Sequence, residues 1–238
     1  FLPSAGFCIA AAALLVRGAE RLEGSLTRLP GSTLMPALAA VMIVALAASA
    51  FYRTRYWREE IGFWKAAVSA APDHAGARVQ LGVALGDAGR FEEALAEFDR
   101  ALALGPDRDL ASKIQNDRAL ALLSLDRIDE AESALDRALA ADARNESAHF
   151  NRALAALLRA DRAPSAEARA RHLADAARSL EEALSLQPTH PKAHYQLGLL
   201  LLRLGRADAG RRHLAETVRL APATPEGQEA GRLVAGRQ

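Results

Sequence analysis

The architecture of this chain follows from the stretch Ala75–Pro106, AGARVQLGVALGDAGRFEEALAEFDRALALGP. Numbered from its first residue, the stretch has small residues, Gly82 and Ala94, at positions 8 and 20, Phe98 at position 24 and a proline at position 32. Small residues at this spacing predict two antiparallel helices that cross closely, because larger side chains would push the axes apart. We expect Phe98 to fill the gap toward the next helix pair. Such a pair cannot bury its apolar faces alone, so it needs similar neighbours.

The same register returns along the chain with local departures, and it resembles the tetratricopeptide repeat (TPR), a helix pair of ~34 residues. In the unit Ser112–Asn145, alanines stand at positions 8 and 20, and three extra residues precede the unit. The next unit carries an insertion of about eleven residues around DRAPSAEARARH; Pro164 should end its first helix, and the alanines and arginines that follow favour a longer second helix. The predicted organisation is a half repeat at 56–74, repeats at 75–108, 112–145, 146–190 and 191–224, and a capping helix at 225–238.

The predicted fold class is all-α: a right-handed TPR solenoid of antiparallel helix pairs, preceded by two transmembrane helices. Half of the residues are apolar but only 5% are aromatic, a mixture that suits closely packed helices better than strands. Basic residues number 30 and acidic residues 29, so no net field would attract nucleic acid. The single cysteine, Cys8, excludes a disulfide within the chain.

Residues 1–55 are predicted to form two membrane helices joined by a short loop. Phe1–Val16 contains no charged residue and is slightly shorter than a full span, as a truncated membrane helix would be. Leu34–Tyr52 is also free of charge and would be ~28 Å long as a helix, close to the thickness of the hydrocarbon core. A signal peptide is the alternative for the first stretch, and a buried helix of a soluble bundle is the alternative for the second.

The resemblance to TPR proteins implies that the first helices of the repeats line a concave groove that binds a protein or peptide. Its predicted floor is apolar, with a few cations and amides that could hold a peptide backbone. The alternative is that several of these residues are simply exposed. The predicted groove residues are Val79, Val83, Lys113, Asn116, Leu120, Phe150, Asn151, Leu154, Lys192, Tyr195, Leu199 and Arg203.

Other candidate sites are weak, and we predict no catalytic residue, metal or cofactor. Asn151 and Lys192 match two places of the clamp with which some TPR domains hold a terminal carboxylate, but the remaining places do not match. His190 and His194 have a metal-ligand spacing without further ligands. The triplet Asn145-Glu146-Ser147 fits an N-glycosylation acceptor on an exposed turn.

The whole chain is similar to the C-terminal part of polytopic GT-C glycosyltransferases fused to TPR arrays, a class that includes TPR-containing O-mannosyltransferases and their bacterial relatives. FLPSAGF and RTRYWREEIGFWKAAVSAAPDHAGARVQLGVAL carry this resemblance. It implies an extracytoplasmic array that presents an acceptor polypeptide, whereas the arginines at 53, 55 and 58 weakly favour a cytoplasmic one. The catalytic acid of that class lies in an early loop that is not part of this sequence. A non-enzymatic membrane scaffold and a soluble helical protein are the alternatives.

Overall fold

The computed structural model describes residues 59–236, which form ten helices and no strand. The predicted spans in residues 1–55 lie outside this range, and within it no helix is both long and apolar enough to cross a membrane. The helices are α1 (59–70), α2 (Ala75–Asp87), α3 (Phe91–Ala103), α4 (Arg108–Ser124), α5 (Ile128–Ala141), α6 (Glu146–Asp161), α7 (Ala166–Leu186), α8 (Pro191–Arg203), α9 (Ala207–Leu220) and α10 (Pro225–Val234).

The helices are arranged in pairs, as predicted. From α2 onward each helix packs against the next one in the chain, and α2–α3, α4–α5, α6–α7 and α8–α9 form units 1 to 4. The first helices of units 1 to 3 also contact one another, and α10 packs against α8 and α9. Contacts restricted to neighbouring elements are characteristic of a solenoid, so the all-α helical array is confirmed.

Small residues lie where the paired helices cross. Ala94 and Ala131, at position 20 of their units, are completely buried. In unit 4, two glycines face each other: a Cβ atom added to Gly210 would lie 2.8 Å from the carbonyl oxygen of Gly198. The ring of Phe98 lies over Gly82 of its own unit, although the sequence suggested that it points toward the next unit. Close crossing therefore depends on residues that have little or no side chain.

The apolar core consists of three clusters that follow one another along the array. Helix α6 contributes Ala155 to the first cluster and Ala153 to the second. Helix α8 contributes Leu197 to the second cluster and Tyr195 to the third, which also contains Ala230 of α10. Because one helix serves two successive clusters, each unit is stabilised by its neighbours.

The extra residues of units 2 and 3 lengthen helices. Helix α4 begins at Arg108, four residues before the predicted start of its repeat, and spans 17 residues with Asp107 as its N-cap. Helix α6 ends at Asp161, and the insertion becomes the first turns of α7, which spans 21 residues and begins with Ser165 as its N-cap. The longer second helix predicted for unit 3 is confirmed.

Several side chains fasten the turn before a first helix to that helix. In units 1, 3 and 4 the residue at position 4 donates a hydrogen bond to a carbonyl group six residues earlier in the chain, which neither the periodicity nor the motifs indicated. The pairs are Arg78 Nε to Pro72 O (3.0 Å), His149 Nε2 to Ala143 O (3.0 Å) and His194 Nε2 to Pro188 O (2.9 Å). These bonds satisfy carbonyl groups in the turns that join the units.

Candidate peptide-binding groove

The predicted groove residues lie on the first helices α2, α4, α6 and α8, and we call this set of twelve the first-helix face. Apart from the adjacent Phe150 and Asn151, they are three or four residues apart, which keeps them on one side of each helix. They differ widely in exposure, so they do not offer equal surface to a ligand. Lys113, Leu120, Lys192 and Arg203 are exposed, Val83, Phe150, Leu154 and Leu199 are half-buried, and Val79, Asn116, Asn151 and Tyr195 are buried.

Two amides connect the first helices of units 2 and 3. Asn151 Nδ2 on α6 donates a hydrogen bond of 2.9 Å to Asn116 Oδ1 on α4, and both side chains are at least 90% buried. Asn116 Nδ2 in turn donates to Asp117 Oδ1 at 3.2 Å. Buried amides need such partners, so this pair fixes the spacing of the two helices. Its chief role in this structure is to join repeats.

Unit 3 is joined to unit 4 by side chains at both ends of α6. At one end, Phe150 stacks on the ring of His190, with 5.0 Å between ring centroids. His190 is also the N-cap of α8, where its Nδ1 accepts a hydrogen bond from the Ala193 amide at 3.1 Å. At the other end, Arg203 of α8 pairs with Asp161 of α6 at 2.9 Å. The first helices of units 3 and 4, α6 and α8, are therefore connected despite the insertion in unit 3.

Tyr195 lies beneath the C-terminal helix. It is 8% exposed and packs with Leu214 and Ala230. Burial, together with the carboxylate of Glu229 on α10, raises the pKa of the Tyr195 hydroxyl to about 12. Val79 is similarly buried, in the first core cluster. The sequence predicted both as groove contacts, but here they stabilise the array, because neighbouring helices cover them.

Asp117 is a feature of this face that the sequence prediction missed. It stands at position 6 of the repeat that begins at Ser112, on the same stripe of α4 as Lys113 and Leu120, and burial is the main cause that raises the pKa of its carboxyl group to about 6. The carboxylate of Asp87, the last residue of α2, contributes to this increase. Position 6 adjoins the predicted positions 2, 5 and 9, so the spacing could have indicated Asp117. The loss of solvation around it could not be predicted.

A polar cleft of ≈ 250 Å³ lies where the α4–α5 turn meets the insertion. Its basic residues are Arg159, which pairs with Asp129 and Glu132, and Arg162, which pairs with Asp126. The charges around the cleft therefore neutralise one another, and these ion pairs hold the insertion against unit 2.

The remaining candidate sites take structural roles. His190 caps a helix, and His194 Nδ1 lies 3.0 Å from Nδ1 of His213. Among residues 59–236 no group of histidine, cysteine and carboxylate side chains is arranged to hold a metal ion. Asn145 is 8% exposed, caps α6 and donates to Ser112 Oγ at 2.8 Å. The expectation of an exposed glycosylation acceptor was therefore wrong, because this amide is a buried cap.

Comparison with known proteins agrees with this geometry. Two family models, each described as tetratricopeptide repeat, match residues 73–144 and 167–233. They cover most of the helix pairs described above.

Solved structures show the same fold. TTC0263, a thermophilic TPR protein of Thermus thermophilus, is 26% identical with a TM-score of 0.60, over 68% of this chain and 84% of that one. MamA of Desulfovibrio magneticus RS-1 is 18% identical with a TM-score of 0.53, over 77% of this chain and 96% of that one. YrrB, described as a TPR protein with an unusual peptide-binding site, is 17% identical with a TM-score of 0.50, over 78% of this chain and 88% of that one.

The two repeat models together match more than half of the 238 residues, and they do so over helix pairs that cross through small residues. The chain therefore contains tetratricopeptide repeats, which the two models place over residues 73–144 and 167–233.

Proposed function

We propose that residues 59–236 form a module that binds a protein or peptide segment along the first-helix face. The repeat family and the helix pairs support this, because the first helices of consecutive units can present one continuous surface to an extended or helical ligand. YrrB, which shares this fold, is a precedent for peptide binding by such an array.

The observation that carries the proposal is the set of side chains on this face that lack a partner. Leu120 is 47% exposed, although most large apolar residues of the array are buried. Lys113 and Lys192 are exposed and make no ion pair with any residue in the described part of the chain. An exposed apolar anchor between unpaired charges can bind a polypeptide by burying the anchor and pairing the charges.

Site-specific photocrosslinking tests the proposal. A photoreactive amino acid is placed at Leu120 or Lys192 on the first-helix face, and at Glu92 of α3 or Arg137 of α5 as controls. All four residues are exposed, so the substitutions disturb the core equally little. In cells that produce the protein, we expect one polypeptide to be crosslinked from the first two positions and not from the controls. Crosslinking from the control positions alone would refute the proposal.

We further propose, from the resemblance given above, that the array is the non-catalytic tail of a membrane-anchored GT-C-like protein glycosyltransferase. This part of the proposal rests on residues 1–58 and on sequence motifs, which the structure does not address. It predicts that the gene encodes further membrane spans upstream, with an acidic residue in the first outer loop. A complete reading frame with only two spans would contradict it.

The second candidate is a scaffold without enzymatic activity that recruits a partner complex to a membrane. Replacement of Leu120 by glutamate should weaken binding of the polypeptide in either case. The two candidates differ in what this loss of binding does to glycosylation. Reduced glycosylation of that polypeptide would support the transferase, whereas loss of the partner with glycosylation unchanged would support the scaffold.

A further inference from the structure

The asparagines of the first-helix face are not available to hold the backbone of a ligand. Asn116 and Asn151 are bonded to each other and are only 8% and 6% exposed. At the equivalent position 6 of units 1 and 4, Gln80 and Gln196 also carry amides, but units 2 and 3 lie between them. An extended chain would therefore find few partners for its backbone groups along this face, whereas a helix satisfies its own.

One aliphatic side chain from each unit forms a row across the face. The row stands at position 9 of the units, and we call these residues the position-9 row: Val83, Leu120, Leu154 and Leu199. Leu120 and Leu154 belong to none of the three core clusters. Neighbouring first helices are in contact, and helices that pack together have axes ~8–10 Å apart. Because a helix rises ~1.5 Å per residue, a ligand helix along this row would present one apolar residue to each unit about every seven residues.

Two unpaired lysines stand beside the position-9 row. Lys113 and Lys192, at position 2 of units 2 and 4, are exposed and make no ion pair or hydrogen bond in the part of the chain that the structure describes. They precede Leu120 and Leu199 by seven residues, which is ~10 Å along the helix axis and close to the diameter of a helix with its side chains. A helix that lies on the position-9 row would therefore have one flank above the lysines.

The exposed charge in this part of the face is positive. Among positions 2, 5, 6 and 9 of the four units, the charged residues are Lys113, Lys192 and Asp117. The Asp117 side chain is half-buried and accepts a hydrogen bond from the Asn116 amide, whereas both lysines are exposed. Carboxylates on the flank of a ligand helix would complement the two lysines.

We propose that the first-helix face binds an amphipathic helix, with apolar residues one heptad apart on the position-9 row and acidic residues on the flank above Lys113 and Lys192. This inference rests on the proposed function and specifies the conformation and the charge of the bound polypeptide. Contact with Leu120, Leu154 and Leu199 spans two intervals between units, ~20 Å in all, so a helix of about 15 residues is long enough.

Selection from a phage-displayed library of random peptides of ~20 residues tests the predicted conformation. The wild-type full chain is the bait, and peptides that bind L120E equally well are discarded because they bind elsewhere. We expect the remaining peptides to share apolar residues three, four and seven positions apart, with acidic residues beside them. Proline in place of a central residue should weaken their binding about 100-fold, because it breaks a helix.

Charge exchange tests the predicted role of the lysines. One selected peptide is synthesised, together with a copy in which lysine replaces its acidic residues. K113E/K192E should bind the acidic peptide about tenfold more weakly than the wild type does, and should bind the lysine copy more tightly than the wild type does. R137E/R171E makes the same change of net charge at two exposed arginines of α5 and α7 that have no ion pair among residues 59–236, and it should bind both peptides as the wild type does. Thermal unfolding of both variants verifies that they remain folded.

The outcomes separate the inference from the proposed function. If the selected peptides tolerate the central proline, the ligand is extended, the inference fails and the proposed function stands. The inference also fails alone if R137E/R171E changes binding of the two peptides as much as K113E/K192E does. If no peptide depends on Leu120 for binding, both fail.

Discussion

Replacing Gly82 by alanine tests the close crossing of the helices in unit 1. A Cβ atom at this position would lie 2.5 Å from Cε1, 2.8 Å from Cδ1 and 3.0 Å from Cζ of Phe98. The ring is only 2% exposed and is enclosed by the first core cluster, so it cannot move aside freely. Gly86, one turn later in the same helix, has no atom within 4 Å of the same added Cβ and provides the matched control.

The expected effect follows from two opposing terms. Alanine in place of glycine inside a helix contributes ~1 kcal/mol to stability, and this term is common to G82A and G86A. Overpacking a buried site costs ~1–3 kcal/mol, and this term applies to G82A alone. We therefore expect G86A to raise the free energy of unfolding and G82A to have a value lower than that of G86A by ~1–3 kcal/mol.

Urea unfolding followed by tryptophan fluorescence measures this difference, because Trp64 packs against the same core cluster as Phe98. In a second background, F98L, the ring atoms that meet the new methyl group are absent. In the F98L background, the difference in the free energy of unfolding between G82A and G86A should shrink, while the stabilisation by G86A should stay the same. Equal stabilisation by G82A and G86A in the wild-type background would refute the argument that the helices cross too closely for a side chain.

Three further substitutions test contacts between and within units. Burial lowers the pKa of His190, and its neutral ring caps α8, so the contribution of this cap to stability should be complete above about pH 6.5 and be lost as the pH falls below that value. In urea unfolding, the midpoint of the wild type should therefore fall more between pH 7.5 and 5.5 than that of H190N, which keeps a capping side chain that does not titrate. Equal changes in the two midpoints would contradict the capping role. N151A should lower the free energy of unfolding by ~1–3 kcal/mol, because it leaves Asn116 Oδ1 buried without a donor. In urea unfolding, the double variant N116A/N151A should lose less than the sum of the losses of the two single variants, and an additive loss would contradict the pairing. D126G is compared with Asp126 in an R162A background, so that the ion pair between Asp126 and Arg162 does not enter the difference. There D126G should stabilise by ~1 kcal/mol in thermal unfolding, because φ is +66° at Asp126 and the equivalent turns use Gly89 and Gly205; a lower melting temperature would contradict this.

The repeat architecture could be predicted from the sequence because its determinants are local. Small residues such as Gly82 and Ala94 recur at fixed spacing within one helix pair, and that spacing alone specifies a close crossing. The longer α7 could also be predicted, since Pro164 and the alanines after it act on their own segment.

The parts that could not be predicted depend on contacts between units. Tyr195 has the position of a groove residue, but α10 covers it, and Asn145 is buried because its amide reaches Ser112 of the preceding unit. The high pKa of Asp117 results from burial by its surroundings and from Asp87 on another helix. A register gives the side of the helix on which a residue stands, but it does not show which neighbour covers that side.

In the proposed complex the first helices, and not the second helices, contact the bound polypeptide. A spin label is attached to the polypeptide that photocrosslinking at position 120 identifies, and methyl NMR spectra of the wild-type full chain are recorded with it. We expect the signals of Leu120, Leu154 and Leu199 to broaden strongly, while that of Leu104, an exposed leucine at the end of α3, stays sharp. Broadening of Leu104 with sharp signals from the three first-helix leucines would show that the second helices bind the polypeptide instead.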